Sequence, residues 1–105
     1  MENTKFFELR IYTVIPSAYP KLIELWASEG KYIIKKYMQC IGVWNTETGH
    51  LNKIFHLYSW RSHGEREKSR LNFYNDSLAQ EYVEKVKPLY QSQESIILKS
   101  IDNLF

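Results

Sequence analysis

Two segments of the chain place reactive and ligand-binding side chain types at alternate positions. Glu8, Arg10 and Tyr12 alternate along residues 6–15, and His56 and Tyr58 alternate along residues 52–60. Alternation with period two puts side chains on one face of a strand. A histidine can move a proton, an arginine fork can hold a carboxylate or phosphate, and aromatic rings can stack on a flat ligand. The pattern predicts a small-molecule site with His56 as its catalytic residue and with these ligand-binding residues: Glu8, Arg10, Tyr12, Trp44 and Tyr58.

Each of these residues also has a structural interpretation. His56 could be held by a hydrogen bond to Glu8 or to a tyrosine. Arg10 could form an internal ion pair with Glu8 or with Glu94. The aromatic residues of the set could be used up in packing between two copies of the chain. Both interpretations stay open from the sequence alone.

The remaining polar candidates are assigned structural roles. Arg66 and Arg70 lie one helical turn apart, which is typical of a solvated helix face. His50 falls in a turn and His63 at a helix start, and Cys40 has no basic neighbour that would activate a nucleophile. The spacings of His and Cys match no metal motif, and the chain contains no glycine-rich phosphate loop, so we predict neither a metal nor a cofactor.

Length and composition predict one small domain over residues 1–105. The chain is 44% hydrophobic and 25% charged, and its net charge of +2 gives no strong field toward any partner. One cysteine excludes an internal disulfide and fits a reducing compartment. No apolar stretch reaches the length of a signal peptide or of a membrane span. We therefore expect a cytoplasmic protein with no membrane partner.

Periodicity predicts four strands and two helices in the order β-α-β-β-α-β. The second and third strands form a hairpin, and a capping box of Ser62 and Glu65 starts the second helix, which is interrupted at 75–77, where Ser77 is the expected new cap. The predicted segments are strands at 6–15, 40–46, 52–60 and 91–99, with helices between 17 and 37 and between 62 and 87. This order predicts a ferredoxin-like α+β fold with an antiparallel sheet of order 4-1-3-2 and both helices on one face.

The two faces of the central strands differ in composition. We expect the apolar set, which consists of Leu9, Ile11, Phe55 and Leu57, to meet Leu22, Trp26 and Ile33 of the first helix together with Val43. The face with the charged and aromatic residues would then lack cover within the chain. A second copy is the simplest cover, so the sequence predicts a two-fold dimer whose stacked sheets enclose a cavity.

Several motifs together resemble the NIPSNAP family of the dimeric α+β barrel superfamily. The chain has the opening E-L-R-I-Y at 8–12, the hairpin G-V-W-N-T-E-T-G at 42–49 followed by L-N, the helix pattern R-x-x-x-R at 66–70, and the closing Q-E-S-I-I-L at 93–98. The chain departs from the usual pattern at Ser17, Tyr58, Trp60 and Leu78, which alters the hydrogen bonding of the cavity. The resemblance implies a family without an agreed activity, whose members are implicated in vesicle traffic and mitochondrial biology. The wider superfamily includes cofactor-free monooxygenases, haem-degrading oxygenases and isomerases.

Three classes of function follow. The first is a dimeric protein that binds a small aromatic or carboxylate-bearing ligand, with a cofactor-free monooxygenase as its enzymatic form. The second is a non-enzymatic interaction module whose aromatic face is filled by the dimer. The third is an RNA binder, since the RNA-recognition domain shares this element order, but residues 53–58 lack its glycines and the face is not basic. We therefore expect no nucleic-acid partner.

Overall fold

The computed structural model describes residues 6–101 and places four strands and four α-helices in that range. The strands and helices are β1 (Phe6–Val14), α1 (Tyr19–Leu25), α2 (Lys31–Tyr37), β2 (Gln39–Asn45), β3 (Lys53–Trp60), α3 (His63–Tyr74), α4 (Ser77–Val86) and β4 (Tyr90–Leu98). A five-residue π turn, Trp26–Gly30, joins α1 to α2, and short 3-10 turns precede α1 and follow α4. No helix of this range is long and apolar enough to cross a membrane.

The four strands form one antiparallel sheet in the order β2-β3-β1-β4. This confirms the predicted ferredoxin-like α+β fold and its strand order. The register between the central strands pairs Glu8 with Tyr58 and Arg10 with His56. Directly paired side chains on one face lie within a few ångströms of each other, so the sheet brings these four residues together.

The segment formed by α1 and α2 is interrupted by the π turn where the sequence places a glycine. Gly30 lies in the π turn and is buried, because the ring and hydroxyl of Tyr82 from α4 pack directly against its Cα. A side chain at this position would overlap Tyr82 and the indole of Trp26. The turn therefore allows α4 to approach the α1–α2 segment closely.

The sequence predicts the N-cap of α3 correctly but not that of α4. Ser62 caps α3 as expected, since its hydroxyl accepts from the Glu65 amide at 3.0 Å. Ser77 does not cap α4: the carboxylate of Asp76 accepts from the amides of Leu78 and Ala79 instead. An aspartate preceding a serine competes for the same amides, and here its position one residue earlier suits the N-cap geometry.

The assignment of the two sheet faces was wrong. The face toward the helices carries Glu8, His56 and Tyr58, which are at most 5% exposed. The ring centroids of His56 and of Trp26 in the π turn are 4.7 Å apart, and Glu8 accepts a hydrogen bond from Arg66 of α3. The expected partners Leu22, Trp26 and Ile33 do belong to the core or pack against it, as does Val43. Their sheet partners, however, are Val14, Ile54, Tyr58 and Trp60 rather than Leu9, Ile11, Phe55 and Leu57.

The reversal has a physical cause in the pairing of the buried charges. A buried carboxylate is tolerated when every oxygen lone pair meets a donor, and α3 supplies that partner to Glu8. With the charge of Glu8 compensated, the bulky aromatic residues of the same face can form the core.

The other face of the sheet has no cover within residues 6–101. Its central side chains are apolar and range from half-buried to 52% exposed, and Thr13, Lys53 and Ser59 lie on the same face toward its ends. The apolar members of this open face are Phe7, Leu9, Ile11, Trp44, Phe55, Leu57, Ile96 and Leu98.

Candidate functional site

A cavity of about 510 Å³ lies between the β1–β4 half of the sheet and the helices α2, α3 and α4. Its size falls within the range of small-molecule sites. The β1 and β3 residues on its wall are Glu8, Arg10, Tyr12 and His56. Four of the six residues predicted for the site therefore line one cavity, although it lies within one chain and not between two sheets.

Glu8 is the centre of a hydrogen-bond network at one end of the cavity. Its Oε1 accepts from the indole of Trp60 at 3.1 Å and from Nε of Arg66 at 2.8 Å. Its Oε2 accepts from Arg10 at 3.0 Å, from Arg66 at 3.1 Å and from the hydroxyl of Ser95 at 2.5 Å. Burial opposes ionisation, but the hydrogen bonds from Arg66 and Ser95 and the charge of Arg10 hold the pKa of Glu8 well below its usual value. Glu8 is thus a permanent anion that positions two arginines and is not available to transfer protons.

Arg10 forms the predicted internal ion pair with Glu8. Its Nε pairs with Glu8, and its guanidinium carbon lies 5.2 Å from the ring centroid of Tyr58. The hydroxyl of Tyr12 also lies beside this guanidinium. Arg10 is also among the residues that line the cavity, so its guanidinium can meet a ligand there.

His56 is buried and neutral. Burial, reinforced by the positive charge of Arg10, lowers the pKa of His56 to about 3. Its Nδ1 lies 2.8 Å from the hydroxyl of Tyr58, and its ring packs edge-on against Tyr12. Because Nδ1 is engaged by Tyr58, Nε2 is the ring atom that can meet a ligand in the cavity. The predicted hydrogen bond to a tyrosine is present, and it leaves the second nitrogen for binding.

Four tyrosines contribute to the cavity wall. Tyr12 stacks on Tyr90 with ring centroids 4.6 Å apart, and Tyr82 and Tyr74 complete the aromatic lining from the helices. Burial raises the pKa of Tyr12, Tyr82 and Tyr90, so these phenols remain neutral donors. Tyr58 is fully buried behind His56 and supports its ring without reaching the cavity wall.

Trp44 does not belong to this site, contrary to the prediction. A bulge between Cys40 and Gly42 inserts one extra residue in β2, so that Trp44 pairs with Phe55 and lies on the open face. A one-residue shift moves every following side chain to the opposite face. The indole lies across Gly42, where an added Cβ would be 2.6 Å from the ring, and Trp44 is 52% exposed.

The sequence analysis missed the contribution of α3. Arg66 was assigned to a solvated face, but its side chain is 19% exposed and binds Glu8. Arg70, one turn later, also lines the cavity. The signal was their spacing of four residues, which places both on the helix face that meets the acidic residue of β1. His63 and Cys40 have structural surroundings: His63 stacks on Phe6, and burial raises the pKa of the Cys40 thiol.

Comparison with known proteins identifies the family. A family model described as NIPSNAP matches residues 7–102. The chain belongs to the NIPSNAP family. No curated protein matches it.

Crystal structures of other NIPSNAP proteins have the same fold. An uncharacterized NIPSNAP domain protein from Burkholderia xenovorans is 23% identical, with 95% of this chain and 98% of that chain covered and a TM-score of 0.89. A NIPSNAP family protein from Agrobacterium tumefaciens is 25% identical, with 95% and 89% covered and a TM-score of 0.90. A putative antibiotic biosynthesis monooxygenase from Nitrosomonas europaea is 5% identical over 91% of this chain and 98% of its own, with a TM-score of 0.69. The last likeness concerns the fold alone.

Proposed function

We propose that this NIPSNAP protein binds a small aromatic molecule bearing a carboxylate in the cavity between its sheet and its helices. The observation that carries the proposal is the cavity itself, which joins an arginine-rich end to a tyrosine-lined body. The arginines suit a planar acidic group, and the stacked pair of Tyr12 and Tyr90 suits a ring.

We further propose that two copies of the chain assemble through the open face. An apolar sheet face of this extent, rimmed by polar residues, is typical of a protein interface. The cavity lies on the opposite side of the sheet, so each copy would keep its own ligand site.

The enzymatic form of the proposal is a cofactor-free, monooxygenase-like reaction in which His56 takes a proton from the bound molecule. A group with a pKa of about 3 is a weak base in the empty cavity. A bound carboxylate would offset the charge of Arg10, which is one of the two causes of that low pKa. In such a reaction a substrate CH₂ group, once deprotonated, would supply four electrons to O₂, gain one oxygen atom as a carbonyl and release the other as water.

The test is ligand binding by the dimeric protein and by two variants that conserve polarity. Benzoate, salicylate and 1-hydroxy-2-naphthoate should raise the melting temperature and quench the fluorescence of Trp26, which contacts His56. Arg10→Gln and His56→Gln should stay folded and bind these probes more weakly by about tenfold or more, the effect of losing one charged or buried hydrogen bond.

The alternative is a non-enzymatic interaction module. It is favoured if none of the three carboxylates binds the unaltered protein and both variants lose over about 1 kcal/mol of stability, the scale of a broken buried hydrogen bond. Oxygen consumption in the presence of phenylacetate, an aromatic carboxylate that carries a CH₂ group, separates the enzyme from a pure binder.

A further inference from the structure

The cations around the cavity differ in how they are paired. Arg10 and Arg66 both bind the single carboxylate of Glu8, so one of their two positive charges is not compensated. Arg70 is half-buried on the cavity wall and makes no ion pair or hydrogen bond with any residue in the range 6–101. With Lys87 and Glu94 included, the wall holds four basic and two acidic residues, so the cavity is electropositive.

The geometry points to Arg70 as the residue that binds the acidic group of the ligand, with Arg66 and Arg10 held beside it by Glu8. This inference rests on the proposed function and adds the determinant of its specificity. Arg66 and Arg70 are one helical turn apart on α3, so their side chains extend from the same helix face toward the cavity. Arg66 has its Nε and one terminal nitrogen engaged by Glu8, whereas the full donor fork of Arg70 is free for a bidentate bond to a carboxylate.

Glu8 is a positioning residue in this scheme. Its oxygens accept five hydrogen bonds from four residues, and this network fixes the two arginines at the cavity end. A carboxylate on the ligand would neutralise the positive charge that Glu8 leaves uncompensated. A neutral ring would gain the aromatic contacts but would leave Arg70 in a partly dehydrated site without a partner.

The experiment compares charged and neutral probes of equal shape on the full chain. Benzoate and benzamide are titrated, and so are 1-hydroxy-2-naphthoate and its amide, into the unaltered protein and into Arg70→Gln. The unaltered protein should prefer each carboxylate over its amide by about tenfold or more, and Arg70→Gln should remove most of that preference by weakening carboxylate binding much more than amide binding. Arg70→Lys should restore only part of it, because an ammonium cannot form the two parallel bonds of the guanidinium.

Lys68→Gln is the matched control, since it removes one positive charge from the exposed face of the same helix. A loss of preference in Lys68→Gln equal to that in Arg70→Gln would overturn the inference, because the effect would then be one of overall charge. Carboxylate binding by Arg70→Gln that matches the unaltered protein overturns it as well and leaves the proposed function standing. Absence of binding by the unaltered protein overturns both.

Discussion

His56 is the residue whose chemistry depends most on its surroundings. It lies between three aromatic rings, those of Tyr12, Trp26 and Tyr58, and Arg10 is near. This environment stabilises the neutral ring and penalises its protonated form. The consequence for function is that His56 offers a ligand a neutral hydrogen-bond partner throughout the physiological pH range.

The same environment predicts how stability depends on pH. The unfolded chain takes up a proton on this histidine near its ordinary pKa of 6.5, whereas the folded chain does so only near 3. Folding therefore loses stability as the pH falls below 6.5, by about 2 kcal/mol at pH 5. Glu8 adds nothing comparable in this window, because the stability that its low pKa provides is lost only as the pH falls below the ordinary carboxylate value of 4.5.

Urea denaturation at several pH values between 7 and 5 measures this effect. In His56→Gln the decline between pH 6.5 and 5 should be largely gone, whatever the absolute stability of the variant. A decline of unchanged slope would mean that another group accounts for it and that His56 is not neutral in the folded protein.

At the scale of the elements, the π turn between α1 and α2 sets the distance between the α1–α2 segment and α4. Gly30→Ala would place a methyl group against the Tyr82 hydroxyl and 2.9 Å from Trp26. Both neighbours are packed in or against the core, so neither can withdraw freely. We expect a loss of about 1–3 kcal/mol from overpacking, which outweighs the gain of about 0.5–1 kcal/mol from replacing a helical glycine.

Gly64 in the first turn of α3 provides the matched control. An added Cβ there meets only the Ser62 hydroxyl at 3.8 Å, an ordinary contact. Gly64→Ala should therefore be neutral or stabilising in thermal denaturation. If Gly30→Ala is also neutral or stabilising, Tyr82 can move away from Gly30, and the helical wall of the cavity can deform.

The elements and their order were predictable because each has a local signal. Alternation marks β1 and β3, and the Ser62–Glu65 cap marks α3. The direction in which β1 and β3 face was not predictable from the same signals, since both of their faces hold large apolar or aromatic residues. It depends on the long-range pairing of Glu8 with Arg66, which are 58 positions apart. The β2 bulge that removes Trp44 from the site likewise leaves no local pattern that distinguishes it from a regular strand.

At the scale of the whole molecule, the reversed faces change which surface is available for assembly. The predicted dimer was argued from an uncovered polar-aromatic face, and that face is covered by the helices. The argument for a partner becomes stronger on the open face, because apolar side chains exposed along β1, β3 and β4 cost more in water than polar ones.

Substitution at the centre of the open face tests the dimer. Leu57 pairs with Leu9 in the middle of the sheet, so Leu57→Asp would place a charge within the interface and should give a monomer of 12.6 kDa. Leu71→Asp is the control, since Leu71 is 63% exposed on α3 and away from this face. Light scattering at micromolar concentration should report about 25 kDa, twice the chain mass, for the unaltered protein and for Leu71→Asp. An unaltered chain that stays monomeric and soluble would contradict the proposal, and dissociation of Leu71→Asp instead of Leu57→Asp would move the interface to the helical side of the sheet.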